Sequence, residues 1–209
     1  MKKASYFLYI LLAVNYSSIK SLRINYTVIT MILSVPYQAI EIGNIILNDF
    51  QYDNKGRNII PITYKDNSIE MNDLSILTPP LKIIDYDSQS CRLRLDISPD
   101  SVDQFVVKLL SVQEYIISTV YLYKMPCIEF GVTRDVIDNM FQPLINGNVL
   151  SVYLFPSTVV KTSDNSTKII GSIKPGSMIR FVIRISGISY LLPQKKLRLQ
   201  HSIPSVWSV

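Results

Sequence analysis

Residues 91–120 read CRLRLDISPDSVDQFVVKLLSVQEYIISTV, and the hydrophobic period changes partway along them. From Cys91 to Ile97 apolar and polar residues alternate one for one. That is the period of a strand with one buried face, and it places Arg92, Arg94 and Asp96 together on the other. From Ser98 the period lengthens: Val102, Phe105, Val106, Leu109, Val112, Ile116 and Val120 recur at three- and four-residue spacing. Such a stripe belongs to a helix that packs on a sheet. Ser98 is of a type that caps helix N-termini, Pro99 suits the first helical position, and Asp100 and Asp103 favour the positive end of the dipole. A half-buried strand running straight into an amphipathic helix makes this a mixed chain.

Upstream, the pattern is of strands and turns. Residues 38–50, QAIEIGNIILNDF, read as a strand pair or as one strand broken at Gly43-Asn44, before the turn Asp53-Asn54-Lys55-Gly56. Asn58–Lys65 and Ser68–Leu77 are strand-like around a turn at Asp66-Asn67. Thr78-Pro79-Pro80 stops pairing because proline has no ladder donor. Leu81–Tyr86 resumes it, and Asp87-Ser88-Gln89-Ser90 turns into the strand at 91–97. Downstream, Thr133 to Phe141 reads as a shorter helix ending before Pro143. Strands follow at Asn148–Phe155, Lys168–Ile173, Met178–Ser189 and Lys196–Ile203, with Lys174-Pro175-Gly176 as a tight turn. Strands, then helices, then strands, with no βαβ alternation, predict an α+β, β-rich fold with an antiparallel or mixed sheet and one long and one short helix. An OB-fold-like barrel is one way to close such a sheet.

At 209 residues the chain can bury one substantial core. The net charge of +5 is unevenly spread. Residues 1–30 carry +4 from Lys2, Lys3, Lys20 and Arg23; residues 31–155 carry nine basic and fifteen acidic side chains; residues 156–209 carry eight basic and one acidic. A basic C-terminal third points to a polyanionic partner, against the alternative of a solvated basic face. Tyr6–Val14 after Lys2-Lys3 has the shape of a signal peptide, and Asn15, Asn25 and Asn165 open glycosylation sequons. No small-x-small cleavage site follows the run, and Met31 directly precedes the first strand-like residues. The preferred division is therefore an N-terminal appendage, 1–30, and a single binding domain, 31–209, in an intracellular protein. Secretion is the reading that holds if 1–30 is a true signal. No run reaches the ~20 uninterrupted apolar residues of a membrane span, so integral membrane association is not expected.

The chemistry of catalysis is sparsely represented. There is no phosphate-binding glycine loop, nucleophile elbow or HExxH motif, and the lone His201 rules out sites needing two imidazoles. Cys91 and Cys127 have neither metal nor redox spacing and read as buried free thiols. Asp85, Asp87 and Asp96 are close enough in sequence to suggest a metal cluster, but Asp85 and Asp87 flank a turn signal and read instead as solvated turn residues. A non-enzymatic protein without cofactor or metal is expected. In MIRFVIRIS, Arg180 and Arg184 share one strand face while Phe181, Ile183 and Ile185 take the other. Tyr190, Lys195, Lys196, Arg198 and Trp207 follow. This interleaves cations with rings as a single-strand groove requires, the cations tracking phosphates and the rings stacking on bases.

Four stretches together resemble the single-stranded DNA-binding proteins of large nucleocytoplasmic DNA viruses, a divergent OB-fold group similar to those of some tailed phages. They are Ile62–Leu81, ITYKDNSIEMNDLSILTPPL; RLRLDIS with its helix; IDNMFQPLI; and residues 176–207, GSMIRFVIRISGISYLLPQKKLRLQHSIPSVW, whose Gly187-Ile188 and Tyr190 match the family's closing hairpin. The resemblance implies strand coating during viral DNA replication, recombination or repair, with single-stranded DNA, replication proteins and further copies of the chain as partners. It implies phosphate contacts from Arg180, Arg184, Lys195, Lys196 and Arg198, then Lys65 and Arg94, and stacking by Tyr64 and Tyr190. Trp207 would either stack or seal the barrel end. The closing residues Trp207-Ser208-Val209 do not match the acidic tail of many such proteins, so partner exchange through such a tail is not expected. The competing class is a viral capsid, matrix or interaction protein built as a β-sandwich.

Overall fold

The richest run of β-branched and aromatic residues, Met178–Leu191, forms with Lys196–Ser208 a long hairpin on which the rest of the sheet is assembled. The computed structural model describes residues 33–53, 57–66, 70–124, 132–162, 166–191 and 194–209. All of these but Leu33 belong to one compact unit, Ser34–Val209. The signal-like run, the three sequon asparagines, Met31 and Cys127 lie outside the described residues, as do parts of the turns at 53–56 and 66–67. In chain order the strands are β1 (Val35–Pro36), β2 (Ile45–Leu47), β3 (Gln51–Tyr52), β4 (Asn58–Lys65), β5 (Glu70–Met71), β6 (Leu74–Leu77), β7 (Leu81–Asp87), β8 (Arg92–Asp96), β9 (Phe141–Gln142), β10 (Ile145–Asn146), β11 (Val149–Tyr153), β12 (Val159–Lys161), β13 (Thr167–Ile169), β14 (Met178–Leu191) and β15 (Lys196–Ser208). Two helices, α1 (Asp103–Thr119) and α2 (Arg134–Met140), lie between β8 and β9.

β14 is the spine. One edge runs antiparallel to β15 along its length; the other takes β7, β6 and β4 in turn, at Met178↔Lys82, Val182↔Leu77 and Gly187↔Pro61. From β7 the sheet continues through β8 and β11 to β10, and from β15 through β12 to β13. Most pairings are antiparallel, but β1–β6, β12–β15 and β9–β15 are parallel, so the sheet is mixed. Two irregularities keep one face of the hairpin apolar throughout. Ser186 is an extra residue in β14 between Ile185 and Gly187, and Ile203-Pro204 places an extra residue in β15 between Ser202 and Ser205. Each shifts the two-residue period by one. Tyr190 and Ile188 before the bulge thereby share the core with Ile185, Ile183, Phe181 and Ile179 beyond it.

α1 buries Phe105, Leu109, Val112 and Ile116, the expected stripe, with Val106 only partly covered. Its start departs from expectation. A 3-10 turn, Asp100–Val102, precedes the helix, and no side chain caps either element. Ser98 is unavailable because its hydroxyl and amide both donate to Asp96 Oδ1, at 2.6 and 3.0 Å. After Thr119 the helix widens into a π-helical turn, Val120–Lys124. By length and hydropathy alone, 25 residues and a mean of 1.3, Asp100–Lys124 would also span a membrane; here its apolar stripe lies against the sheet. Polar contacts fix its position: Lys108 Nζ donates to Ile40 O at 2.9 Å, Tyr115 Oη to Ile45 O at 3.1 Å, and buried Gln113 accepts from Leu144 N at 3.0 Å.

Two further expectations are corrected. Residues 38–50 form 3-10 turns at Tyr37–Ala39 and Ile42–Asn44 before a three-residue β2, not a long strand or pair. Ile40 and Ile45 are both buried five residues apart, a spacing that a continuous strand would place on opposite faces. The sheet also does not close into a barrel. The second edge of β15 is occupied near its ends by β9 and β12, and among the described residues no backbone ladder joins it to β11.

Candidate nucleic-acid interface

Among the described residues, six of the fifteen acids of the middle segment pair with basic side chains of the same segment. Of the seven ion pairs among the described residues, six join side chains between 31 and 155, and only Arg184–Asp73, at 3.1 Å, reaches into the basic C-terminal third. This sorts the expected phosphate contacts. Lys65 pairs with Glu70 at 2.8 Å. Arg94 Nε donates to Asp85 Oδ1 at 2.7 Å and its NH2 group to Oδ2, and this guanidinium holds the Asp85 carboxyl below its ordinary pKa. Asp85 is therefore an ion-pair partner across β7 and β8 rather than a turn residue. Lys65, Arg94 and Arg184 thus carry a carboxylate each, whereas Lys196, Arg198 and Arg180 have none in ion-pair range among the described residues.

The expected stacking rings are corrected outright. Tyr64 is 1 % exposed and Tyr190 3 %, so both are core, and a buried ring has no face to offer a base. Period-two alternation in β4 turns Ile60, Ile62 and Tyr64 inward together. The Ser186 bulge does the same for Tyr190, which lies opposite buried Leu197. Cys91, expected to be buried, is a half-exposed free thiol at φ 54 in the β7–β8 turn.

The remaining cations gather in two places on β15. The first is the seam where the curled sheet brings β11 near β15, a cleft of about 650 Å³. β15 lines it with Lys196, Arg198 and Gln200, β8 and β11 with Arg92, Ser151 and Tyr153, and α2, β9 and β10 with Asn139, Gln142 and Asn146 respectively. Among the described residues no carboxylate lines it. One bond crosses the seam: Tyr153 N donates to His201 Nε2 at 2.9 Å. Since Nε2 accepts, Nδ1 carries the proton and faces Leu199 O at 3.3 Å. Burial lowers the His201 pKa, and Arg198 and Arg92 push it the same way against the Leu199 carbonyl. The imidazole is thus held neutral at pH 7. Beside the cleft, Tyr153 and Phe155 are exposed and meet edge to face at 5.4 Å.

The second place is the far end of the hairpin. Trp207 stands in register between Arg180 on β14 and Lys161 on β12. The neighbouring row, Val160, Val206 and Phe181, is wholly buried, so the Trp207 row lies on the outward face with the indole half-exposed. Strand spacing of about 4.8 Å places a cation on each side of the ring. Arg180 Nε donates to Thr78 O at 3.1 Å, which steadies its stem. Lys195 lies in the hairpin turn at φ 45, next to the cleft. Lys196 and Trp207 are roughly 35 Å apart along β15 at ~3.3 Å per residue.

Arg92, Lys161, Tyr153, Phe155 and His201 belong to these clusters and were not nominated from sequence as contacts. Arg92 had a signal, the alternating face of RLRLD, whereas Lys161 is marked only by its pairing to Trp207, which no local pattern encodes. No protein-family model matches the chain, and no curated protein is significantly similar to it.

Proposed function

We propose that the chain binds single-stranded DNA along the outward face of the β14–β15 hairpin, from the cleft at Lys196 and Arg198 to the Trp207 row. What supports this most is the run of cations without a carboxylate partner among the described residues, Arg92, Lys161, Arg180, Lys196 and Arg198, interspersed with the exposed rings of Tyr153 and Phe155 and the half-exposed indole of Trp207. Separated cations suit successive phosphates, and exposed ring faces suit unstacked bases without regard to sequence. A duplex would present no free base faces to those rings. The reading is of stoichiometric binding, as in strand coating during viral DNA replication, rather than of catalysis. An OB-like barrel is part of it only loosely, the sheet being curled and left unpaired at the β11–β15 seam.

Fluorescence anisotropy of a labelled oligothymidine titrated with the full chain tests the reading, with duplex as competitor. The expected result is tight binding that duplex does not displace and that weakens with salt, with a log–log slope near −0.7 for each phosphate neutralised. The pair of changes Arg180→Glu and Arg198→Glu is expected to weaken binding by at least 100-fold, and absence of binding at low salt rejects the proposal. The interaction-protein reading has its own observation: Val107, Leu110, Leu122 and Tyr123 leave apolar surface exposed on the outer side of the long helix. It becomes the leading reading if oligothymidine fails to bind.

A further inference from the structure

We propose that the cleft between β11 and β15 is a site for a terminal phosphate, the phosphomonoester of a nucleotide, rather than for the running phosphodiester of a strand. The charge count comes first. Arg92, Lys196 and Arg198 line one cleft, and none of its described lining residues is a carboxylate. A phosphodiester brings one negative charge, whereas a phosphomonoester carries about −1.5 to −2 at pH 7. Three cations lining one cleft, with no ion pair to any of them among the described residues, are best offset by the more highly charged group.

Size leads to the same assignment. The cleft is lined by β15 with β9 paired beside it and the end of α2, and across the seam by β8 and β11 with β10 paired to β11. Its volume of about 650 Å³ lies in the ~300–1,000 Å³ range of small-ligand sites. The amides of Asn139, Gln142 and Asn146 add donors and acceptors that a bare phosphate would not need and a base edge can use. His201 is not a ligand in this assignment: one ring nitrogen accepts from Tyr153 N and the other faces Leu199 O, so it holds the wall in place.

Two sources carry this chemistry, the phosphorylated end of a DNA strand and a free nucleotide. The first rests on the strand-binding reading; the second does not. The test titrates the full chain with labelled oligothymidine ending in 5′-hydroxyl, 5′-phosphate or 3′-phosphate, and separately with thymidine monophosphate by calorimetry. Wild type, Arg92→Gln, Arg198→Gln and Arg180→Gln are compared after melting curves confirm that each folds. The expected result is a preference of at least tenfold for one phosphorylated end, abolished in R92Q and R198Q. R180Q, at the other end of the hairpin, is expected to weaken all oligonucleotides equally and to keep the preference.

Equal affinity for hydroxyl and phosphate ends, with no monophosphate binding, overturns the inference and leaves strand binding standing. Saturable monophosphate binding lost in R198Q, without oligonucleotide binding, upholds the cleft as a free-nucleotide site and overturns the strand reading. Silence in both experiments overturns both.

Discussion

Gly187 shows how one side chain can be forbidden by its neighbours. A Cβ there would meet Ile60 O at 2.7 Å, because β14 and β4 approach backbone to backbone at Gly187↔Pro61. Gly187→Ala is expected to cost about 1–3 kcal/mol as an overpacked site, read as a lower midpoint in urea unfolding. Thr78 acts by what it satisfies. Its amide donates to Phe181 O at 3.0 Å, and its hydroxyl donates to the same oxygen and accepts from Phe181 N, both at 3.1 Å, carrying the β6–β14 ladder one step past Leu77 before Pro79. Thr78→Val keeps the volume but strands a buried amide, for a cost of about 1–3 kcal/mol; an unchanged unfolding midpoint would contradict this. His201 gives the pH dependence. Its folded pKa lies below the ordinary 6.5, chiefly through burial, so the unfolded chain takes up the proton first as pH falls. The contribution is present in full above 6.5 and is lost as pH falls through the folded value. The lowered Asp85, Asp87, Asp96 and Glu114 contribute in the same sense, but from their ordinary values of 3.8 to 4.5 downward. His201→Gln should therefore flatten the decline in melting temperature between pH 7 and 5 while leaving the steeper fall below pH 4.5. Parallel curves for the two proteins would show that the imidazole does not titrate with folding.

Among the elements, the β14–β15 hairpin depends on its bulges. Alternation alone would send either Tyr190 and Ile188 or Phe181 and Ile183 to solvent, since the two pairs differ in parity. Ser186 resolves the conflict by adding one residue to β14. Deleting Ser186 should shift every residue on one side of it to the wrong face, and loss of the cooperative thermal transition is the expected outcome. A deletion variant that melts like wild type would mean that the hairpin re-pairs around the change. α1 is simpler: it is held by its stripe, and Leu109→Ala, at a fully buried site, is expected to cost about 2–5 kcal/mol without altering oligonucleotide affinity at temperatures where the variant is folded.

Across the whole molecule, the order of strands, helices and strands was enough to assign a β-rich α+β fold, because period two and period 3.6 are written locally in RLRLD and in the Phe105-to-Ile116 stripe. Phe181, Ile183 and Ile185 were legible as core for the same reason, and so was the turn at Lys174-Pro175-Gly176, where Gly176 takes φ 86. Composition also showed that positive charge collects in the last third of the chain. The sequence left open whether the sheet closes, which of those cations stay unpaired, and which rings face outward. Arg94 and Arg184 look like Arg198 in sequence, yet Asp85 and Asp73 reach the first two and no carboxylate among the described residues reaches the third. Tyr190 looks like a better stacking ring than Tyr153 until the bulge at Ser186 turns it inward. These are long-range decisions, made by the register between strands far apart in the chain and by which edges of β15 are already occupied. Periodicity determines which face of an element is apolar; only the assembled sheet determines which elements meet and therefore where charge remains uncompensated.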